Sequence, residues 1–365
     1  MKKSAIIFLG VAATSLVICG ICLLLYSNSS GVLYEKGLKA LLTGRYDDAQ
    51  EYMQRVVDKN DARRGDAYYA LAQCCAHQGD SVASYEYLHK AALDMNSDAA
   101  REYLVYLDGQ PALGHEYVDF LTYMHEHSPE ECLYAWRLAW VKLDSMDYEA
   151  AGELLQPYVS FAGTALPGTP VEAKVLAAEM MCRGQGGYAL SPEGAITLAN
   201  SCQSALEERD WSEINGWIFF RLGHLKLIEL AYIPESDIIR NIGLAKRYFD
   251  AFTMRTGYTF GGIEMLDEYL NEASQVVINP LWWERRPQDW KSYSNDSGFR
   301  YIGHTVGSGN KNYHDGMPDR PQGMGCGVDN RSHLVYIGKW GGSPSSLQKG
   351  VRVQHDGLVT IGWEP

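Results

Sequence analysis

The chain opens on an unbroken apolar run and then changes rhythm twice. Ala5 to Tyr26 contains no charged residue, and its 22 positions would reach about 33 Å as a helix, against a hydrocarbon core of ~30 Å. From Val32 the small and apolar residues fall four apart, at Leu33, Gly37 and Leu41, which is the spacing of one helix face. That face returns. Ala72, Gly79, Ser84, Leu88 and Ala91 follow Gly37, Gly44, Ala49, Met53 and Val56 at a constant offset of thirty-five. The pattern predicts antiparallel helical hairpins that break at Gly44 and Gly79. Small residues at Gly37, Ala49, Ala72 and Ala91 would let the paired helices cross closely. One hairpin cannot cover both of its apolar faces, so successive hairpins are expected to stack into a solenoid. Ala139, Tyr148, Ala151 and Leu155 keep the same relative spacing further along.

After Leu270 the period fails. Asn279 to Pro287 breaks the helical rhythm, and Trp282, Trp283 and Trp290 gather around it as a packed joint. From Gly298 short alternating apolar stretches lie between glycines, the pattern of β-hairpins. Three segments echo one another: Tyr301-Ile302-Gly303, Tyr336-Ile337-Gly338 and Thr360-Ile361-Gly362. Asp356-Gly357 predicts a tight turn, because glycine accepts the positive φ that the turn needs.

These repeats carry two family resemblances. The thirty-five-residue hairpins resemble tetratricopeptide repeats. Downstream, Arg183-Gly184-Gln185-Gly186-Gly187 and Pro192-Glu193-Gly194-Ala195 look like the Sel1-like variant, which has a glycine-rich connector. Arg221-Leu222-Gly223 with Gly243-Leu244-Ala245 reads the same way. The tail resembles MORN repeats: Tyr336, Gly338, Trp340, Gly350, Asp356 and Gly357 match that pattern one by one. It departs from the pattern at Thr305, where a tryptophan is expected, and at Lys339, which replaces an acidic residue. With the apolar run read as an N-terminal transmembrane helix, the resemblances imply a mainly α protein: a helical-hairpin solenoid behind that helix, with a small all-β tail. The expected division is 1–30 anchor (or cleaved signal peptide), 31–275 helical repeats, 276–297 tryptophan-rich joint and 298–365 β-hairpins.

Charge refines this picture. The chain carries 45 Asp plus Glu against 32 Lys plus Arg, and no Lys/Arg run interrupts the acidic body, so nucleic acid is not an expected partner. Lys2 and Lys3 precede the apolar run and no basic residue follows it before Lys36. The positive-inside rule then keeps the N-terminus cytoplasmic and exports the body, periplasmic in a bacterium. Secretion after signal cleavage is the alternative.

Candidate chemistry is sparse. Cys19 and Cys22 lie inside the apolar run, and Cys74, Cys75, Cys132, Cys182, Cys202 and Cys326 form no metal-binding spacing. His125 and His127 stand two apart, which points them to different sides of a helix. His304, His314, Asp315, His333, His355 and Asp356 would suit an acid–base or metal cluster if the tail gathered them, although Asp315-Gly316 and Asp356-Gly357 read more simply as turns. Tyr68, Tyr69, Tyr85, Tyr87, Tyr103 and Tyr106 line the early helices, either as a peptide-binding face or as packing. No catalytic, cofactor or metal residue is assigned. The expected function is a membrane-anchored protein–protein interaction scaffold that binds proteins or peptides and meets the membrane through residues 5–26. A hydrolase or carbohydrate-binding tail is the alternative.

Overall fold

The computed structural model describes residues 28–110, 112, 114–208, 211, 214–278, 290–294, 299–306, 320–341, 347–354 and 359–362. The leader, Trp282, Trp283, His314, Asp315, His355, Asp356 and Gly357 lie outside them. Among the described residues, no helix is long and apolar enough to cross a membrane. The protein is mainly helical with one antiparallel sheet, and it divides into two compact units, Met1–Ser128 and Pro129–Pro365.

The first unit is built from consecutive hairpins: α1 (Ser30–Leu42) with α2 (Tyr46–Val57), α3 (Arg64–Gln78) with α4 (Ser81–Leu93), and α5 (Ser97–Asp108) with α6 (Gly114–His127). The expected breaks are real. Gly44 and Gly79 adopt φ of 72° and 83°, the left-handed conformation that closes a helix without a Cβ clash. At each, the backbone makes the same pair of bonds: Gly44 N to Leu41 O with Arg45 N to Ala40 O, and Gly79 N to Ala76 O with Asp80 N to Cys75 O. Gly37 faces Met53, where a Cβ would come within 2.8 Å of the methionine Cε. Ala49 and Ala91 are 0% exposed and Ala72 is 1%, so these small residues are enclosed.

The second unit continues with α7 (Cys132–Asp144) and α8 (Tyr148–Leu155), then α9 (Val171–Arg183), α10 (Pro192–Asn200) and the short α11 (Gln203–Glu208). It ends its helical part with α12 (Gly216–Glu229), α13 (Glu235–Thr256) and α14 (Ile263–Ile278). The α7–α8 turn repeats the earlier cap, with Met146 N to Leu143 O and Asp147 N to Lys142 O, but Met146 occupies the left-handed position at φ 61°. A side chain there is disfavoured by ~1–2 kcal/mol, so the turn is imposed by the packing of its two helices. The inserted 156–170 loop is not free: Leu166 N bonds Tyr158 O at 2.9 Å and Ser160 N bonds Thr164 O at 2.9 Å.

The sheet runs β1 (Trp290–Ser294), β2 (Phe299–Val306), β3 (Arg320–Asp329), β4 (Leu334–Gly341), β5 (Leu347–Val353) and β6 (Val359–Gly362), each strand antiparallel to the next. β1 falls inside the segment that the sequence assigned to the joint. Strand alternation puts Cys326, Val328, Val335, Ile337, Val351 and Val353 on one buried face, in a single core with Phe260, Leu266 and Tyr269. Tyr301 and Trp340 lie on the other face with Phe299 and Tyr336. The three sequence echoes occupy β2, β4 and β6, and their glycines fall in one cross-strand row: Gly303 opposite Gly325, Gly325 opposite Gly338, Gly338 opposite Gly350, and Gly350 opposite Gly362. Gly350 has no alternative, since a Cβ there would fall 2.4 Å from the Ile337 carbonyl oxygen.

Candidate functional site

The sheet is fastened to the helices behind it. The Arg300 guanidinium donates to the carbonyls of Ile233 at 2.5 Å, Ala231 at 3.2 Å and Leu230 at 3.4 Å, closing the C-terminal end of α12, where unpaired carbonyls favour a cation. His333 stacks on Tyr232 with ring centroids 4.9 Å apart, and Lys339 Nζ lies 2.6 Å from Glu268 of α14. The departure at Lys339 therefore has a use in this chain: it pairs with a helix carboxylate.

Of the tail residues considered for acid–base work, His333 is the one whose side chain is described, and it packs against Tyr232. Among the described residues, no three His, Cys, Asp or Glu side chains gather as a metal site. His127 Nδ1 hydrogen-bonds the Tyr123 carbonyl one turn back at 2.8 Å. No described cysteine forms a disulfide. Burial pushes the thiols of Cys74 and Cys202 up to about 11, and those of Cys132 and Cys326 to about 12, so they are protonated and unreactive at neutral pH.

The tyrosines of the first unit bind one another and their neighbours. Tyr68 stacks on Tyr87 at 6.1 Å and Tyr85 on Tyr106 at 3.8 Å. The Tyr69 hydroxyl donates to Glu102 at 2.5 Å, and Tyr103 stacks on His89 while donating to Glu116. Burial raises the Tyr69 phenol to about 12, helped by the Glu102 carboxylate it bonds. These rings join successive helices, which is the packing alternative.

The second unit links charged and aromatic side chains across α7, α9 and α12. Glu179 of α9 accepts from Arg183 at 3.0 Å and from Arg221 of α12. The Arg221 guanidinium lies 4.6 Å from the Trp140 ring centroid, and that of Arg137 lies 5.0 Å from Trp136. One turn before Arg221, Trp217 is 41% exposed, and Tyr258, 5.9 Å away between ring centroids, is 64% exposed. Asn215 fixes the start of α12 by accepting from Trp217 N at 2.9 Å. An exposed tryptophan–tyrosine pair one helical turn from the Arg221 guanidinium, which Glu179 holds, suits recognition by stacking and hydrogen bonding, since aromatic and arginine side chains anchor protein interfaces. Sequence reading missed this group. Its only trace there is the helical spacing of four between Trp136 and Trp140 and between Trp217 and Arg221. No family model and no curated protein matches this chain.

Proposed function

We propose that the chain is a membrane-anchored scaffold for protein–protein interaction, held by residues 5–26 with its body outside the cytoplasm. In this reading the hairpins are tetratricopeptide- and Sel1-like units stacked as a solenoid within each unit, and the sheet is a MORN-like tail. The recurring helix cap supports the first part and the cross-strand glycine row supports the second. The observation that carries the binding function is the exposed Trp217–Tyr258 pair, one helical turn from the Arg221 that pairs with Glu179. Large apolar rings left in solvent beside fixed charges characterise interfaces more than folding cores.

Crosslinking followed by affinity capture from native membranes tests this, comparing the full chain with the Trp217→Ala/Tyr258→Ala double variant. One or a few proteins should crosslink to the wild type and drop by at least tenfold with the variant. An unchanged crosslinking profile would overturn the assignment of this surface.

A further inference from the structure

A titratable ring is enclosed where the last helices meet the sheet. His224 of α12 lies with its centroid 4.3 Å from Phe220, 5.5 Å from Phe249 of α13 and 5.6 Å from Phe260 of the α13–α14 loop. Its Nε2 is buried and has no hydrogen-bond partner. Phe249 and Phe260 stack on each other at 4.0 Å. The same loop continues into the sheet contact: a Cβ at Gly262 would meet Val351 of β5 at 2.6 Å, and one at Gly261 would meet Ile361 of β6 at 3.1 Å. The loop that carries Phe260 thus also meets two strands.

We propose that His224 is an acid-responsive latch, whose protonation opens the aromatic joint that seats the sheet on the last helices. The two charged groups that act on the ring, Arg221 and Arg183, are both positive. Its own helix supplies Arg221 and α9 supplies Arg183, while α13 and the loop supply Phe249 and Phe260. Glu179 is engaged by both arginines. Burial first, then the charges of Arg221 and Arg183, hold the imidazole down to about 3 from its ordinary 6.5. Between those values an opened joint binds a proton that the closed joint refuses. Closure is therefore fully favoured above the ordinary value and weakens as pH falls through 6.5 toward 3. A tenfold change per pH unit over one and a half units makes the open fraction about 30-fold larger at pH 5 than at neutral pH.

Hydrogen exchange measured by mass spectrometry on the full chain in detergent micelles, at pH 7.5 and 5.0 and normalised to intrinsic exchange rates, reads this directly. Protection of α12, α13 and β5 should fall about 30-fold between the two conditions. His224→Phe, which fills the same space, and His224→Asn, which cannot be protonated there, should each abolish that fall. Two variants guard against one failing to fold, as judged by wild-type protection at pH 7.5. Equal wild-type protection at both pH values overturns the proposal, and so does a fall of the same size in a folded variant.

Discussion

The polar contacts of the first unit join residues about one repeat apart, and the second unit adds to contacts of that kind a few that reach much further along the chain. In the first unit, Arg64 pairs with Asp94 and Asn96 with Asp66 across 30 positions, Gln78 with Asp47 across 31, and Tyr69 with Glu102 across 33. Arg64–Asp94 ties together the two ends of the α3–α4 hairpin, and the others link neighbouring hairpins. In the second unit, Arg221 reaches Glu179 across 42 positions and Arg300 reaches Leu230 across 70. The second unit also buries charge: Lys226, 5% exposed, donates to Asn200 at 2.6 Å and to Glu229 at 2.7 Å, and Asn200 donates to the other Glu229 oxygen at 2.9 Å. Regular repetition can be maintained by shallow contacts between neighbours. The longest reaches in the second unit tie its sheet to the end of α12.

The same glycine-to-alanine change should separate the units most sharply. At Gly152 of α8 a Cβ would fall 1.9 Å from the Gly186 carbonyl oxygen, a backbone atom, whereas at Gly37 it would meet the mobile end of Met53. Gly152→Ala is expected to destabilise the second unit by about 4 kcal/mol. Gly37→Ala should change the first by no more than about 1 kcal/mol, because alanine recovers helix propensity. Segment-resolved hydrogen exchange under increasing urea distinguishes the two, and equal effects would contradict the contrast drawn above.

The buried charge comes next. Lys226→Met leaves Glu229 and Asn200 without their cation and should remove about 3 kcal/mol from the second unit. The triple change Asn200→Leu/Lys226→Met/Glu229→Leu removes every polar partner and should recover most of that loss. Denaturant titration of both variants decides it. A triple variant no more stable than the single one would show that this cluster contributes net stability beyond its own desolvation. The smallest expected effect is at the sheet. Lys339→Ala breaks a half-exposed pair with Glu268 and should lower stability by less than about 1 kcal/mol, vanishing in high salt. A larger loss that salt does not touch would mean Lys339 acts through packing of its stem.

Much of the helical architecture is legible from residue order. Gly44 and Gly79 mark real helix ends because the left-handed cap selects glycine locally, and the echoes of Tyr-Ile-Gly mark alternate strands because strand side chains alternate with a period of two. The cap at Met146 was not legible, since no local chemistry favours a left-handed methionine; its helices hold it there. The first strand was also hidden. Trp290 to Ser294 reads as part of an irregular joint, and only pairing with Arg300 to His304 makes it a strand.

The candidate surface shows the same division. The sequence alone determined where helices break, which small residues permit close crossings and which glycines recur, because each of those depends on backbone sterics within a few residues or on a fixed period. Tertiary structure decided that Trp217 and Tyr258 stay in solvent while Lys226 is enclosed with Glu229, and that His224 sits among phenyl rings. Burial and charge pairing depend on which distant segments arrive at a residue. A helical period places a side chain on a face, but the neighbouring elements determine whether that face meets water, a ring or a carboxylate.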